Sequence, residues 1–345
     1  MSLDINKLLR DNIRNLKPYS SARDEYSGEA AVFLDANENP YNSPWNRYPD
    51  PRQLKLKSRV GEIKNIAVPN IFLGNGSDEP IDLLFRAFCE PGRDNVVSIN
   101  PTYGMYRVAA DTNNIAVNLV SLSAEFELNA DEVLAAVTDK TKIIFLCSPN
   151  NPSGNALDNL QMLRIIEEFS GLVVVDEAYI DFCPEKSFLP FLSQYSNLVI
   201  LQTFSKAWGM AGLRLGMAFA AEQVIEVLSR IKYPYNLSIL TQQKAIELLE
   251  NEQQKTEWVS VILNERTKLI ENIKKYPFVV KVYPTDANFV LVKTYDPKGI
   301  YQYLVDEKII VRDRSSISLC EGCLRISIGS PEENATLLEA LDGLV

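Results

Sequence analysis

The sequence predicts an α/β protein: a large domain with a mostly parallel central sheet flanked by helices, followed by a smaller α+β C-terminal domain. Three observations predict it. From about residue 70 to 220 short apolar runs alternate with amphipathic stretches, the rhythm of parallel strands covered by helices. A long amphipathic stretch at 255–276 then leads away from that pattern into a shorter mixture of strand-like and helix-like segments. Finally, 345 residues exceed what one hydrophobic core usually serves.

The elements follow in order. Residues 1–35 read as an N-terminal arm, expected to pack on the smaller domain and on a partner subunit. The extended VFLDANENP and the Pro-rich YNSPWNRYPDPR after it carry too few apolar residues in rhythm to be core elements. The large domain spans 36–250. Its strands are expected at NVVSI (95), IAVNLV (115), KIIFLC (142), LVVVDEAY (172), LVILQTFSK (198) and LRLGMAFA (213), with helices such as DEPIDLLFRAFCE and NLQMLRIIEEFSG between them, whose apolar residues recur three and four apart. The small domain, 251–345, opens with the helix at 255–276. It continues through FVVKVYP, NFVLVKT, a helical IYQYLVDEKI and the strand-like LRISIG. Ser330, Pro331 and Glu333 then supply the cap, first-position proline and third-position acid that start a last helix.

Composition narrows the function. A net charge of −10, from 45 acids and 35 bases, speaks against nucleic acid as a partner. No apolar run approaches 18 residues and the N-terminus is broken by charges, so no membrane span or signal peptide is expected and the protein reads as cytoplasmic. Five scattered cysteines argue for reduced thiols. The single C-x-x-C, Cys320 and Cys323, has no second pair or histidine to complete a zinc site, so no metal is expected. The chain has no histidine at all, which leaves proton transfer to Lys, Asp, Glu, Tyr or Cys.

The chemistry-bearing residues fall after apolar runs, where ligands of such sheets sit. Asp176 ends LVVVD; a carboxylate there needs a positive partner, or serves only as a helix cap. Lys206 follows LVILQTFS one β-α-β unit later. A lone lysine is usually a solvated charge. Beside a carboxylate, however, it suits Schiff-base chemistry with pyridoxal 5'-phosphate, whose ring nitrogen an acid keeps protonated. Thr203, Ser205 and Arg214 offer donors for that cofactor's phosphate. GNGSDEP at 74–80 offers a second cradle at a helix start; its third glycine position holds Glu79, so it is no dinucleotide fingerprint. The SPNNP turn, with Asn150 and Asn151, is plain turn chemistry or an amide for the cofactor's phenolic oxygen, with Tyr179 as second donor. Tyr103, in NPTYGMY, is a core aromatic or a ring laid on the pyridine face.

Together SPNNP, VVVDEAY, TFSKAWGMAGLRLG and CLRISIG, in this order, resemble the fold type I pyridoxal-phosphate aminotransferases. RYP at 47–49, GNGSDEPI, AFCEPG, PTYGMY and DEAYIDFCP are most similar to the histidinol-phosphate aminotransferases among them. The resemblance covers nearly the whole chain. It implies that Lys206 carries the cofactor and Asp176 holds its ring nitrogen. Asn151 and Tyr179 would hold the phenolic oxygen, and Tyr103 would stack on the ring. The backbone amides of Ser77 and Asp78, with Thr203, Ser205 and Arg214, would hold the phosphate, joined by Tyr48 from the other subunit of a homodimer. Arg325 would take the glutamate carboxylate and Arg312 would help bind the anionic end of the substrate, with Arg314 as a rival for that part. Tyr19 and Asn37 would reach the substrate from the N-terminal segment.

The reaction so implied is ping-pong transamination between L-glutamate and imidazole acetol phosphate, giving L-histidinol phosphate and 2-oxoglutarate. The rivals on the same fold are an aminotransferase for aromatic or other amino acids and a decarboxylase of phosphorylated amino acids. Of other classes, a non-catalytic pyridoxal-phosphate-binding regulator would need an added module, and a nucleotide-binding oxidoreductase is opposed by the incomplete glycine pattern.

Overall fold

The structure, a computed structural model, describes residues 4–17 and 32–345. Its larger sheet has seven strands: β1 (Ile71–Asn75), β2 (Asn95–Asn100), β3 (Ala116–Ser121), β4 (Thr141–Cys147), β5 (Leu172–Asp176), β6 (Leu198–Thr203) and β7 (Leu215–Ala220). They lie in the order β1-β7-β6-β5-β4-β2-β3. Only β7 runs against its neighbours; the other strands are mutually parallel. Strands β4 to β7 are buried almost throughout, as continuous apolar runs must be when helices cover both faces of a parallel sheet. Alternation divides their side chains: Ile144, Leu146, Val173 and Val175 enter one core, whereas Ile143, Phe145, Leu172 and Val174 enter the other.

A smaller sheet is wholly antiparallel, with β8 (Val279–Val282), β9 (Phe289–Thr294), β10 (Arg312–Asp313) and β11 (Cys323–Ser327) in the order β10-β11-β9-β8. Helices Glu252–Ile273, Pro297–Asp306 and Pro331–Asp342 cover one face around Leu269, Val292, Leu304, Leu324 and Leu337. The last helix starts as its sequence foretold: Ser330 Oγ accepts from Glu333 N, and Ser330 N donates to the Glu333 carboxylate. Such a cap contributes about 1 kcal/mol. The other face of the small sheet turns toward the large one, where Phe289 packs with Tyr179 and Phe182, and Leu291 and Cys323 join a core of the large sheet.

Two features depart from expectation. The strand β10 has no apolar rhythm to announce it. In the arm, Ile5, Leu9 and Ile13 pack into the core beneath helix Asp78–Phe88. Arg10 N donates to Ala87 O, and the Arg10 guanidinium pairs with Glu90 at 3.1 Å. This part of the arm therefore lies on the large unit and not on the smaller one, because its three apolar residues find a matching stripe there. No helix among the described residues is long and apolar enough to cross a membrane.

Candidate active site

Strands β4, β5 and β6 end together: Cys147 stands beside Asp176, and Asp176 beside Leu201. At these carboxyl ends a pocket of about 150 Å³ opens. Ten of the fifteen residues to which the resemblance gives a role line it: Ser77, Asp78, Tyr103, Asn151, Asp176, Tyr179, Thr203, Ser205, Lys206 and Arg214. A larger groove of about 730 Å³, bordered by Lys57, Glu222 and Arg230, contains none of them. Convergent polar groups, and not size, mark the site.

Asp176 is 2 % exposed. Tyr106 donates its hydroxyl to Oδ2 at 2.7 Å and Ala178 N donates to Oδ1 at 3.1 Å. Burial pushes this carboxyl up to about 6 against those two hydrogen bonds, and no described cation forms an ion pair with it. A cation at the open side would restore its charge. Lys206 Nζ sits 5.5 Å from the centre of the Tyr179 ring. Burial, then the nearby Arg325, lower its pKa from the ordinary lysine value, which favours the neutral, nucleophilic amine.

Beside these lies an anion cradle assembled from three neighbouring strands, β1, β7 and β6. Gly76 N donates to Arg214 O at 2.7 Å, and a Cβ on Gly216 would stand 2.3 Å from Ser77 N. Only glycine at 216 lets β7 approach the loop after β1 this closely. Gly76, at φ +68°, turns the chain into helix Asp78–Phe88, and a Cβ there would meet the Arg214 guanidinium at 2.8 Å. The Ser77 hydroxyl makes no capping bond to the helix. Thr203 and Ser205 share a hydrogen bond of 3.0 Å, and Arg214 faces Asp78 at 3.5 Å. Helix amides, two hydroxyls and a guanidinium form a donor set for a phosphate. With a buried acid and a depressed lysine alongside, these residues fit a phosphorylated pyridine aldehyde.

Asn151 links this pocket to the small sheet. Arg325 Nη1 donates to Asn151 Oδ1 at 2.5 Å; because arginine only donates, the Nδ2 amide must turn the other way, and it faces Tyr179 Oη at 3.5 Å. Arg325 also lies over the Phe289 ring. Arg312 is its cross-strand partner but is exposed, and Arg314 N continues the same ladder to Cys323 O. Asn150, in contrast, is committed to the turn through Pro101 O and Ser153.

The outer residues are not brought into the pocket within one chain. Tyr48 is half-exposed and stacks on Tyr235 with ring centres 4.4 Å apart. The Glu38 carboxylate fixes its backbone by binding Tyr48 N and Arg47. Asn37 is exposed, with φ +55°, and Tyr19 lies outside the described residues. Two residues were not foreseen. Tyr106, in the first turn of helix Met105–Thr112 and edge-to-face with the Tyr103 ring that precedes that helix, carried the signal of its motif; Cys147, the last residue of KIIFLC, carried only its position.

The chain matches the family model described as aminotransferase class I and II over residues 25–341. It is 55 % identical over 341 residues to the histidinol-phosphate aminotransferase of Parabacteroides distasonis, covering 99 % of each chain. It is 58 % identical over 338 residues to that of Bacteroides fragilis, covering 98 % of each. The fold is shared with the histidinol-phosphate aminotransferase from Clostridium acetobutylicum, at a TM-score of 0.81 and 24 % identity over 87 % of this chain and 91 % of that one. With a match that runs through both sheets and the pocket at the ends of the larger one, the chain belongs to the class I and II aminotransferases.

Proposed function

We propose that the protein is a pyridoxal-phosphate-dependent transaminase of histidine biosynthesis, moving the amino group of L-glutamate to imidazole acetol phosphate to give L-histidinol phosphate and 2-oxoglutarate. The observation that carries the reaction type is the buried Asp176 sharing one pocket with Lys206 beside the anion cradle. The choice of substrate is supported by the names of the relatives at 55 % and 58 % identity. When bound, pyridoxal phosphate supplies the electron sink and carries the amino group between the two substrates.

The chain's own residues do the rest. Asp176 holds the proton on the ring nitrogen, and Tyr106 fixes the carboxylate. Lys206 Nζ, kept basic but readily neutral by its burial, moves the proton at the substrate's α-carbon. Asn151 Nδ2 and Tyr179 hold the phenolic oxygen, and Tyr103 covers the ring. Ser77, Asp78, Thr203, Ser205 and Arg214 retain the phosphate. Arg325 takes the glutamate carboxylate with Arg312 beside it, and Tyr19 and Asn37 close over the substrate from the N-terminal segment. The division at residue 250, between a cofactor-binding unit spanning 36–250 and a smaller unit spanning 251–345, belongs to the same reading.

A homodimer with shared active sites completes it. Val32, Leu34, Tyr41 and Trp45 are exposed on the segment that leads to Tyr48, and a run of large apolar groups of this kind suits a second copy. Tyr48 would reach the cofactor phosphate of that copy.

The test is amino transfer from L-histidinol phosphate to 2-oxoglutarate by the cofactor-loaded protein, with phenylalanine and aspartate as parallel donors. Glutamate formed selectively from histidinol phosphate is the expected result. Selective use of phenylalanine would move the chain to the aromatic reading. Release of carbon dioxide from a phosphorylated amino acid would make it a decarboxylase.

A further inference from the structure

Three guanidiniums share one face of the small sheet. Arg312 lies opposite Arg325 in the β10-β11 ladder, and the bond from Arg314 N to Cys323 O carries that register two residues further. Alternation therefore turns Arg312, Arg314 and Arg325 to the same side, the side on which Phe289 meets Tyr179. Arg325 is engaged by Asn151. Arg314 is half-buried, its Nε has neither solvent nor a hydrogen-bond partner, and the neighbouring Ser315 Oγ is likewise buried without one. Its charge acts on Tyr179, in the wall of the pocket, and Arg325 acts on it in turn. Among the described residues no acid pairs with Arg314, although Asp313 stands next to it and binds Ser315 N.

Like charges placed side by side repel, and a buried donor without an acceptor calls for an explanation. A carboxylate brings one charge and two oxygens, enough for Arg325. A phosphate dianion brings close to two charges and three acceptor oxygens, which suits a second fork. We propose that Arg314 is a specificity-determining residue that engages the dianionic end of the phosphorylated substrate and is left unused by glutamate. The inference deepens the transaminase reading and rests on it for the identity of the phosphorylated amine.

The experiment compares wild type with Arg314→Gln and Arg314→Lys, all cofactor-loaded, in separate half-reactions with L-histidinol phosphate, L-histidinol and L-glutamate. Arg314→Gln is expected to lose about 100-fold in kcat/KM for histidinol phosphate, with glutamate and histidinol changed less than about threefold. Arg314→Lys, with charge but no fork, should recover only part of the loss. Equal losses on all three amines, or none, would overturn the proposal, and an unchanged thermal midpoint separates recognition from folding. If Arg314→Gln does not fold, Arg314→Lys carries the same comparison. Inorganic phosphate supplies an arm independent of the amine: its inhibition of the glutamate half-reaction should weaken about tenfold or more in Arg314→Gln. Failure of wild type with histidinol phosphate would count against the transaminase reading alone, whereas unchanged phosphate inhibition would count against Arg314.

Discussion

The two halves of the site are built differently. At the ends of the large sheet polar groups are already answered: Asp176 by Tyr106 and Ala178 N, Thr203 by Ser205, Asn151 by Arg325. On the small sheet, Arg312 and Arg325 stand as cross-strand neighbours and Arg314 keeps a buried donor unpaired. The first half suits one permanent guest, held by preformed contacts. The second stores repulsion that only an arriving anion relieves, and so can tell one substrate from another.

The contrast is broken most severely through Lys206. Lys206→Ala should cost about 10⁴-fold or more in turnover, while pyridoxal phosphate is still captured by the cradle; single-turnover activity within tenfold of wild type would sink the assignment. Next comes Asp176→Asn, expected to lower turnover about 10²- to 10³-fold. Its pH behaviour sharpens the point. In the cofactor-free protein the carboxyl titrates at about 6, above its ordinary 3.8. The folded state therefore binds the proton more tightly, and stability falls as pH rises from about 4 to 6. Asp176→Asn should recover up to about 3 kcal/mol of apoprotein stability at neutral pH and little below pH 4, measurable by urea unfolding. Cofactor capture should run the other way, weakening roughly tenfold per unit below pH 6 in wild type only.

Smaller effects follow on the substrate side. Arg325→Gln should reduce kcat/KM by about 10²-fold for both glutamate and the phosphorylated amine, since it serves either anion; a loss confined to one would contradict its shared role. Smallest is Tyr106→Phe, at about 1 kcal/mol of stability. Because the Tyr106 hydrogen bond pulls the Asp176 value down, its removal should move the pH transition of cofactor capture above 6. A transition that stays in place would leave Tyr106 with a packing role only.

How much of this was legible follows the same division. Asp176 and Lys206 could be read because each ends an apolar run, and parallel register then forces the two ends together. The cradle could be read because glycines and hydroxyls flank a helix start. The arginine face was legible only through the resemblance, which named Arg325, Arg312 and Arg314: a two-residue strand has no periodicity, and the juxtaposition of Arg312 with Arg325 exists only in the antiparallel pairing. The packing of the arm was hidden for a related reason, since Ile5, Leu9 and Ile13 show a stripe but not the surface that receives it. Tyr106 lies in the same PTYGMY motif as Tyr103, but by residue type a tyrosine there reads equally well as core.

The close approach of Gly216 to the loop after Gly76 has a consequence for biogenesis. The phosphate seat joins β1, an edge strand near the start of the large sheet's chain, to β7, its last strand. No nascent chain has that seat until β7 has left the ribosome and slipped between β6 and β1. Cofactor loading is thus tied to completed synthesis of the sheet, and once loaded the phosphate would tie an edge strand to its neighbour. Amide exchange along Ile71–Asn75, with and without cofactor, is where that tie should be heard.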